Sequence, residues 1–244
     1  MKLDARTRLF IVLAAIFCTS LVVGDIIGGK LIETKIFGTT FTLTVGMIPF
    51  PITFLLTDVL NEFYGKKHAR FVTLLGFGMA ALAYAFIFVA GAIPIAEMTR
   101  APSWTGVTDA TFDNVFLGSQ RMILASMVAY IIAQFVDIGV FHALKRLTTN
   151  RLLWLRATGS TAVSQLIDTI AITFVAWWGV LGIDQILTMI RSSYSLKILI
   201  AIGLTPLVYL CHALVERGLG LAPVRIDAGG EAVAEPPGVA DRAS

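Results

Sequence analysis

Charged residues are scarce in this chain. Asp, Glu, Lys and Arg make up 14% of its 244 residues, against roughly 25% in a soluble globular domain. With 57% of the residues apolar and a mean hydropathy of +0.82, a water-soluble fold is excluded, because one core of this size cannot hide so much apolar surface. Cysteine is almost missing. Cys18 and Cys211 stand near opposite ends of the chain inside apolar runs, which excludes a disulfide framework and any C-x-x-C metal or redox motif. Only three histidines are present, His68, His142 and His212, each isolated near the end of an apolar run. They form no metal-ligand spacing and no nucleophile–base pair, so no cofactor or metal is expected, and an enzyme acting on lipid or prenyl groups ranks low. The net charge of +3 is too small to point to direct contact with nucleic acid.

What the chain does have is long apolar runs. A bilayer core of roughly 30 Å needs about 20 apolar residues per helix, and six such runs are predicted, near 9–27, 43–62, 71–95, 119–143, 159–182 and 196–216. Their continuous apolarity favours helices over barrel strands, which alternate polar and apolar residues. The expected fold is an all-α integral membrane protein of six transmembrane helices. The first run follows Lys2, Arg6 and Arg8 but has no small-x-small cleavage site, and Phe17 precedes Cys18 where a lipoprotein signal wants a small residue. It is therefore read as a retained span.

Lysine and arginine set the orientation. Thirteen of them fall in one set of connections (Lys2 to Arg8, Lys66 to Arg70, Lys145 to Arg156, and Arg217 onward) and six in the other set (Lys30, Lys35, Arg100, Arg121, Arg191 and Lys197). The richer side is cytoplasmic by the positive-inside rule, which places both termini in the cytoplasm, as an even number of spans requires. Residues 1–221 are read as one transmembrane domain. Residues 222–244, rich in Ala, Gly, Pro and acids without apolar period, are read as a disordered cytoplasmic tail. The outer connection at 97–116, with Pro102, Trp104, Asp109 and Asp113, reads as an interfacial loop with Trp104 as its anchor.

Acids inside spans cost about 2.5–3.5 kcal/mol each on insertion scales, which makes each one a functional hypothesis. Asp58 and Glu62 lie four residues apart on one face of the second span. They read as a cytoplasmic gate or a proton carrier, with a Glu62–Lys66 pair in the headgroups as the alternative. Pro49 and Pro51, with Gly46, are expected to bend or interrupt the same span. In the fourth span Ser126, Tyr130, Gln134 and Asp137 form one helical stripe. In the fifth, Thr161, Ser164, Gln165, Asp168 and Thr169 share a face, so both helices carry Gln-x-x-Asp and an internal pseudo-symmetry is possible in the bundle. Counted along antiparallel helices at about 1.5 Å per residue, Asp137 should oppose Gln165, and Gln134 should oppose Asp168. Two carboxylates and two amides suit a planar solute with several N–H donors, such as a guanine-like heterocycle. Gln134, Asp137, Gln165, Asp168, Ser164, Tyr130 and Ser126 are the predicted binding residues; plain interhelical hydrogen bonding between each Asp and Gln is the alternative.

These polar positions also carry a family resemblance. The segment from Pro49, Pro51 and Thr53 through Asp58, Glu62, Tyr64 and Gly65 resembles the queuosine precursor transporter family of the vitamin-uptake group. The likeness runs from about Gly24 to Trp178. It continues through Arg121, Ser126, Gln134, Asp137, Lys145, Leu153, Trp154, Arg156, Ser160, Thr161, Ser164, Gln165, Asp168 and Thr169. The family tends to have Asn in the first span before its Lys; this chain has Asp25, followed by Gly28 and Gly29. What the resemblance implies is inner-membrane import of a deazapurine, 7-cyano-7-deazaguanine (preQ0) or its aminomethyl relative preQ1, for queuosine in transfer RNA. The partners so implied are that small molecule and the lipid bilayer, with a homo-oligomer left open. The alternative reading is the substrate-binding subunit of an energy-coupling vitamin or nucleobase importer, for which Ala14 and Cys18 offer only a poor small-x-x-x-small docking face.

Overall fold

The first apolar run folds as α1 (Ala5–Ile27), whose free N–H groups at the start are capped by Asp4, its carboxylate accepting from the Thr7 N–H at 3.2 Å. The computed structural model describes residues 4–28, 30–36, 39–101, 103–117, 120–148, 152–179 and 181–224. After α1 the chain turns into an antiparallel hairpin, β1 (Leu31–Ile36) and β2 (Thr39–Thr44), with Leu31 opposite Thr44 and Ile36 opposite Thr39. A single 3-10 turn (Val45–Met47) leads to α2 (Phe50–Phe63). Next come α3 (Gly65–Ala92), a 3-10 turn (Glu97–Arg100), the short α4 (Asp109–Phe112) and a π turn (Asp113–Leu117). Three long helices complete the fold: α5 (Gln120–Leu147), α6 (Leu153–Trp177) and α7 (Ile183–Leu219).

The expected second span is corrected most. Residues 43–44 end a strand, and the helix begins only at Phe50, with Pro49 just before it and Pro51 in its first turn. Proline lacks the N–H that an interior position must donate, so the pair marks a helix start instead of a bend. At 14 residues, α2 measures about 21 Å and is shorter than the hydrocarbon layer. Among the described residues, four helices are long and apolar enough to cross a membrane: α1, α3, residues 127–147 of α5, and α7. α6 has the length, 25 residues, but one of its faces is polar. A multi-pass helical membrane protein is thus supported, with one hairpin added and six full spans not reproduced among the described residues. α7 continues for 37 residues through Pro206 and stops at Gly220, whose φ of 65° is the left-handed turn that glycine favours.

α2 sits at the centre. It packs against α1, α3, α5 and α7, and every residue from Leu56 to Phe63 is buried. Phe17 of α1, Leu60 and Phe63 of α2, Val72 of α3 and Ile138 of α5 form the apolar core beside it. Gly76 on α3 lets α1 come close, since a Cβ there would stand 2.9 Å from the Phe17 ring. The outer faces of α1, α3 and α7 expose Ile16, Phe71, Phe86, Leu199 and Leu210, a surface suited to lipid.

Several chain segments meet at one end of the bundle. Arg6 donates to the Phe63 carbonyl at 2.9 Å, and the Tyr64 hydroxyl donates to the Arg6 carbonyl at 2.8 Å. The Val224 N–H donates to the Glu62 carbonyl at 2.8 Å. The start of α1, the α2–α3 junction and the residues following α7 therefore lie together. Of the expected tail, 222–224 are packed here; 225–244 lie outside the described residues.

Candidate functional site

The polar stripes of α2, α5 and α6 all turn inward. α5 and α6 run antiparallel, since Lys145 and Arg156 meet at one level and Asp137 and Ser164 at a deeper one. At the end of the bundle Glu62 is held by two buried cations: Oε1 accepts from Arg156 at 2.6 Å and Oε2 from Lys145 at 3.0 Å. His212 Nε2 lies 3.9 Å from the same carboxylate. One acid thus ties together α2, α5, α6 and α7. Lys66, the expected partner of Glu62, is exposed, because the interior offers Glu62 two cations already shielded from water. Beside it, His142 Nε2 and Asn61 Oδ1 are 3.2 Å apart.

Deeper in, four of the predicted binding residues are enclosed. Asp137, Gln134 and Gln165 are 1%, 4% and 4% exposed, and Ser164 is fully buried. Ser164 donates to Asp137 Oδ1 at 3.2 Å. Among the described residues, Asp58 Oδ1, Gln134 Oε1, Asp137 Oδ2, Gln165 Oε1, Thr169 Oγ1 and the Tyr130 hydroxyl find no hydrogen-bond partner. Asp58 lies within electrostatic reach of Asp137 as well as of Glu62. A concentration of enclosed polar atoms without protein partners is unusual, because each costs about 1–3 kcal/mol unless something else satisfies it.

Asp168 sits toward the other side of this group, where Lys197 of α7 donates to its Oδ2 at 2.8 Å. The same ammonium is 5.7 Å from the centroid of the Phe50 ring, and Asp25 of α1 is within electrostatic reach of Asp168.

Among the described residues no hydrogen bond joins Asp137 to Gln165 or Asp168 to Gln134. Asp137 takes the Ser164 hydroxyl in place of Gln165, one residue away, because a step of one residue rotates a helix by about 100° and brings a different side chain to the same depth. Asp168 takes Lys197 in place of Gln134, since a charge-assisted bond outcompetes a neutral amide. Lys197, expected in an outer connection, lies inside α7. Its sequence signal is a lone lysine between Leu196 and Ile198. Ser126 and Arg121 are in α5, but their side chains fall outside the described residues.

Asp58 also lines a cleft between α2, α6 and α7, with Phe50, Phe54, Thr161, Ala201 and Val208. The cleft includes about 310 Å³ of empty space, yet the cavity within it is about 10 Å³, which holds about one water.

Lipid-suited outer faces around a polar chamber of buried side chains define a multi-pass membrane protein. Residues 44–211 match the protein family described as "Putative vitamin uptake transporter". The chain belongs to this family, whose members are transporters and not enzymes. It is 34% identical over 184 residues to the "Probable queuosine precursor transporter" of Bacillus subtilis (strain 168), covering 75% of this chain and 76% of that protein. It is 31% identical over 138 residues to the "Queuosine precursor transporter" of Escherichia coli (strain K12), 57% of each. With the "Probable queuosine precursor transporter" of Haemophilus influenzae (strain ATCC 51907 / DSM 11121 / KW20 / Rd) the identity is 26% over 139 residues, 57% of this chain and 54% of that protein. The chain therefore spans a little over half the length of the latter two. No solved structure matches.

Proposed function

We propose that this chain imports a queuosine precursor, preQ0 or preQ1, across a bacterial inner membrane, and that the polar chamber is its binding site. The observation that carries the reading is the set of buried acceptors without protein partners, Gln134 Oε1, Asp137 Oδ2 and Gln165 Oε1. A 7-deazaguanine presents ring N–H and amino groups along one edge, so guest and chamber are complementary as donor and acceptor. In this reading Asp137 and Asp168 accept N–H groups, Gln134 and Gln165 fix the ring's orientation, and Ser164 holds Asp137 in place. Tyr130 lies one turn before Gln134 on α5, and the sequence spacing puts Ser126 on the same stripe.

Two consequences follow for the transport cycle. Asp168 must exchange Lys197 for the guest. The helices must also part to admit a bicyclic ring, since Gln134, Asp137, Ser164 and Gln165 are all buried. Glu62 with Lys145 and Arg156 closes the end of the bundle that carries most of the basic residues, which the positive-inside rule assigns to the cytoplasm. Both termini are cytoplasmic in this orientation.

The test is precursor uptake, read as queuosine content of tRNA, in a host lacking both its own transporter and precursor synthesis. Asp137→Asn and Asp168→Asn should each lower uptake about ten- to hundredfold, the worth of one charge-assisted hydrogen bond of roughly 1.5–3 kcal/mol. Full uptake by both variants at normal protein levels would defeat the site assignment.

A further inference from the structure

We propose that Asp58 and Asp137 together hold one transferable proton, and that the chain moves one proton inward with each substrate molecule. The proposal rests on the transport reading above and adds the source of its driving force.

The argument is one of charge and enclosure. Asp58 is 5% and Asp137 1% exposed, on two helices that pack together, and each has an oxygen without a protein partner. No side chain among the described residues hydrogen-bonds Asp58, and Asp137 receives hydroxyls, not cations, from α6. The charged groups around them are committed elsewhere. On α2, Glu62 draws in Lys145 of α5, Arg156 of α6 and His212 of α7. Arg156 also acts electrostatically on Asp58, and it donates to Glu62 at 2.6 Å. On the other side, Lys197 of α7 is bonded to Asp168 of α6, with Asp25 of α1 close by. From α3, Lys66 and Arg70 act on His142 of α5 and are themselves exposed. Tyr130 of α5 is within electrostatic reach of Asp25 and brings no positive charge.

Two enclosed carboxylates within electrostatic reach of each other and without a bonded cation hold one proton at far lower cost than two negative charges. Glu62 is a poor carrier by comparison, because two cations already answer its charge. Asp58 borders the cleft between α2, α6 and α7, so the proton has a way to water when that cleft opens. The step balances simply. A proton leaves outer water for one carboxylate, crosses as its O–H and passes to cytoplasmic water, which restores the carboxylate.

The experiment uses the full chain in proteoliposomes with radiolabelled preQ0, a neutral probe. Counterflow against unlabelled preQ0 without a gradient measures transport alone. An outside pH one unit below the inside should then accumulate label toward about tenfold, and a protonophore should abolish the accumulation. Asp58→Asn should bring the accumulation ratio back to one. A wild-type protein that exchanges label but shows no accumulation under the gradient overturns the proton proposal alone, without any variant having to fold. Accumulation retained in Asp58→Asn overturns the assignment to this pair. Absence of wild-type counterflow with both preQ0 and preQ1 overturns the transport reading, and this proposal with it.

Discussion

Replacing Glu62 by Gln removes the anion that Lys145 and Arg156 share at 3.0 and 2.6 Å and leaves two buried cations facing each other. Breaking one side of a buried ion cluster costs about 3–5 kcal/mol. Glu62→Gln should therefore give sharply less folded protein and a lower Tm in detergent, read by a thermal scan. Val224→Pro, which deletes only the N–H donated to the Glu62 carbonyl, should cost about 1 kcal/mol in the same scan. At this scale the sequence showed which residues go inside but not what they bond. Gln134, Asp137, Ser164, Gln165 and Asp168 are spaced by threes and fours, and that period alone turns them to one face. Which of them meet depends on the rotation of α6 against α5 and on the arrival of Lys197 from α7, neither of which leaves a mark in local spacing.

Among the elements, the hairpin and α2 depart furthest from expectation. The run Thr39, Thr40, Phe41, Thr42, Leu43, Thr44 is β-branched and alternates, a strand pattern that counting apolar residues overlooks. α7 starts thirteen residues ahead of its expected position of 196 because Asp184, Gln185 and Arg191 interrupt the apolar count without interrupting the helix. α1 and α3 follow the apolar runs closely, and their contact depends on Gly76. Gly76→Ala would press a Cβ against Phe17 and Leu21 at 2.9 and 3.2 Å. Phe17 is fixed in the core, so overpacking should destabilise by about 1–3 kcal/mol. Gly159→Ala also meets an atom at 2.9 Å, but that atom is the free end of the partly exposed Leu144 side chain. The gain in helix propensity, about 1 kcal/mol, should leave this variant as stable as the parent or more so. Paired melting curves of the two substitutions distinguish a rigid contact from a yielding one.

For the molecule as a whole, the segments before α1 and after α7 share one end of the bundle, through Arg6, Phe63, Glu62 and Val224. A green fluorescent protein fused after the last residue should fluoresce, and alkaline phosphatase at the same point should be inactive; the reverse pattern would invert the proposed orientation. The 37 residues of α7 measure about 55 Å, nearly twice the thickness of oil that surrounds them. Such a rod leans, yields at Pro206 or carries its polar first turns, from Asp184 to Arg191, out among the headgroups. The thickness of the surrounding lipid thereby acts on the helix that carries Lys197 and His212, so the bilayer is a mechanical load on the grip at both ends of the chamber.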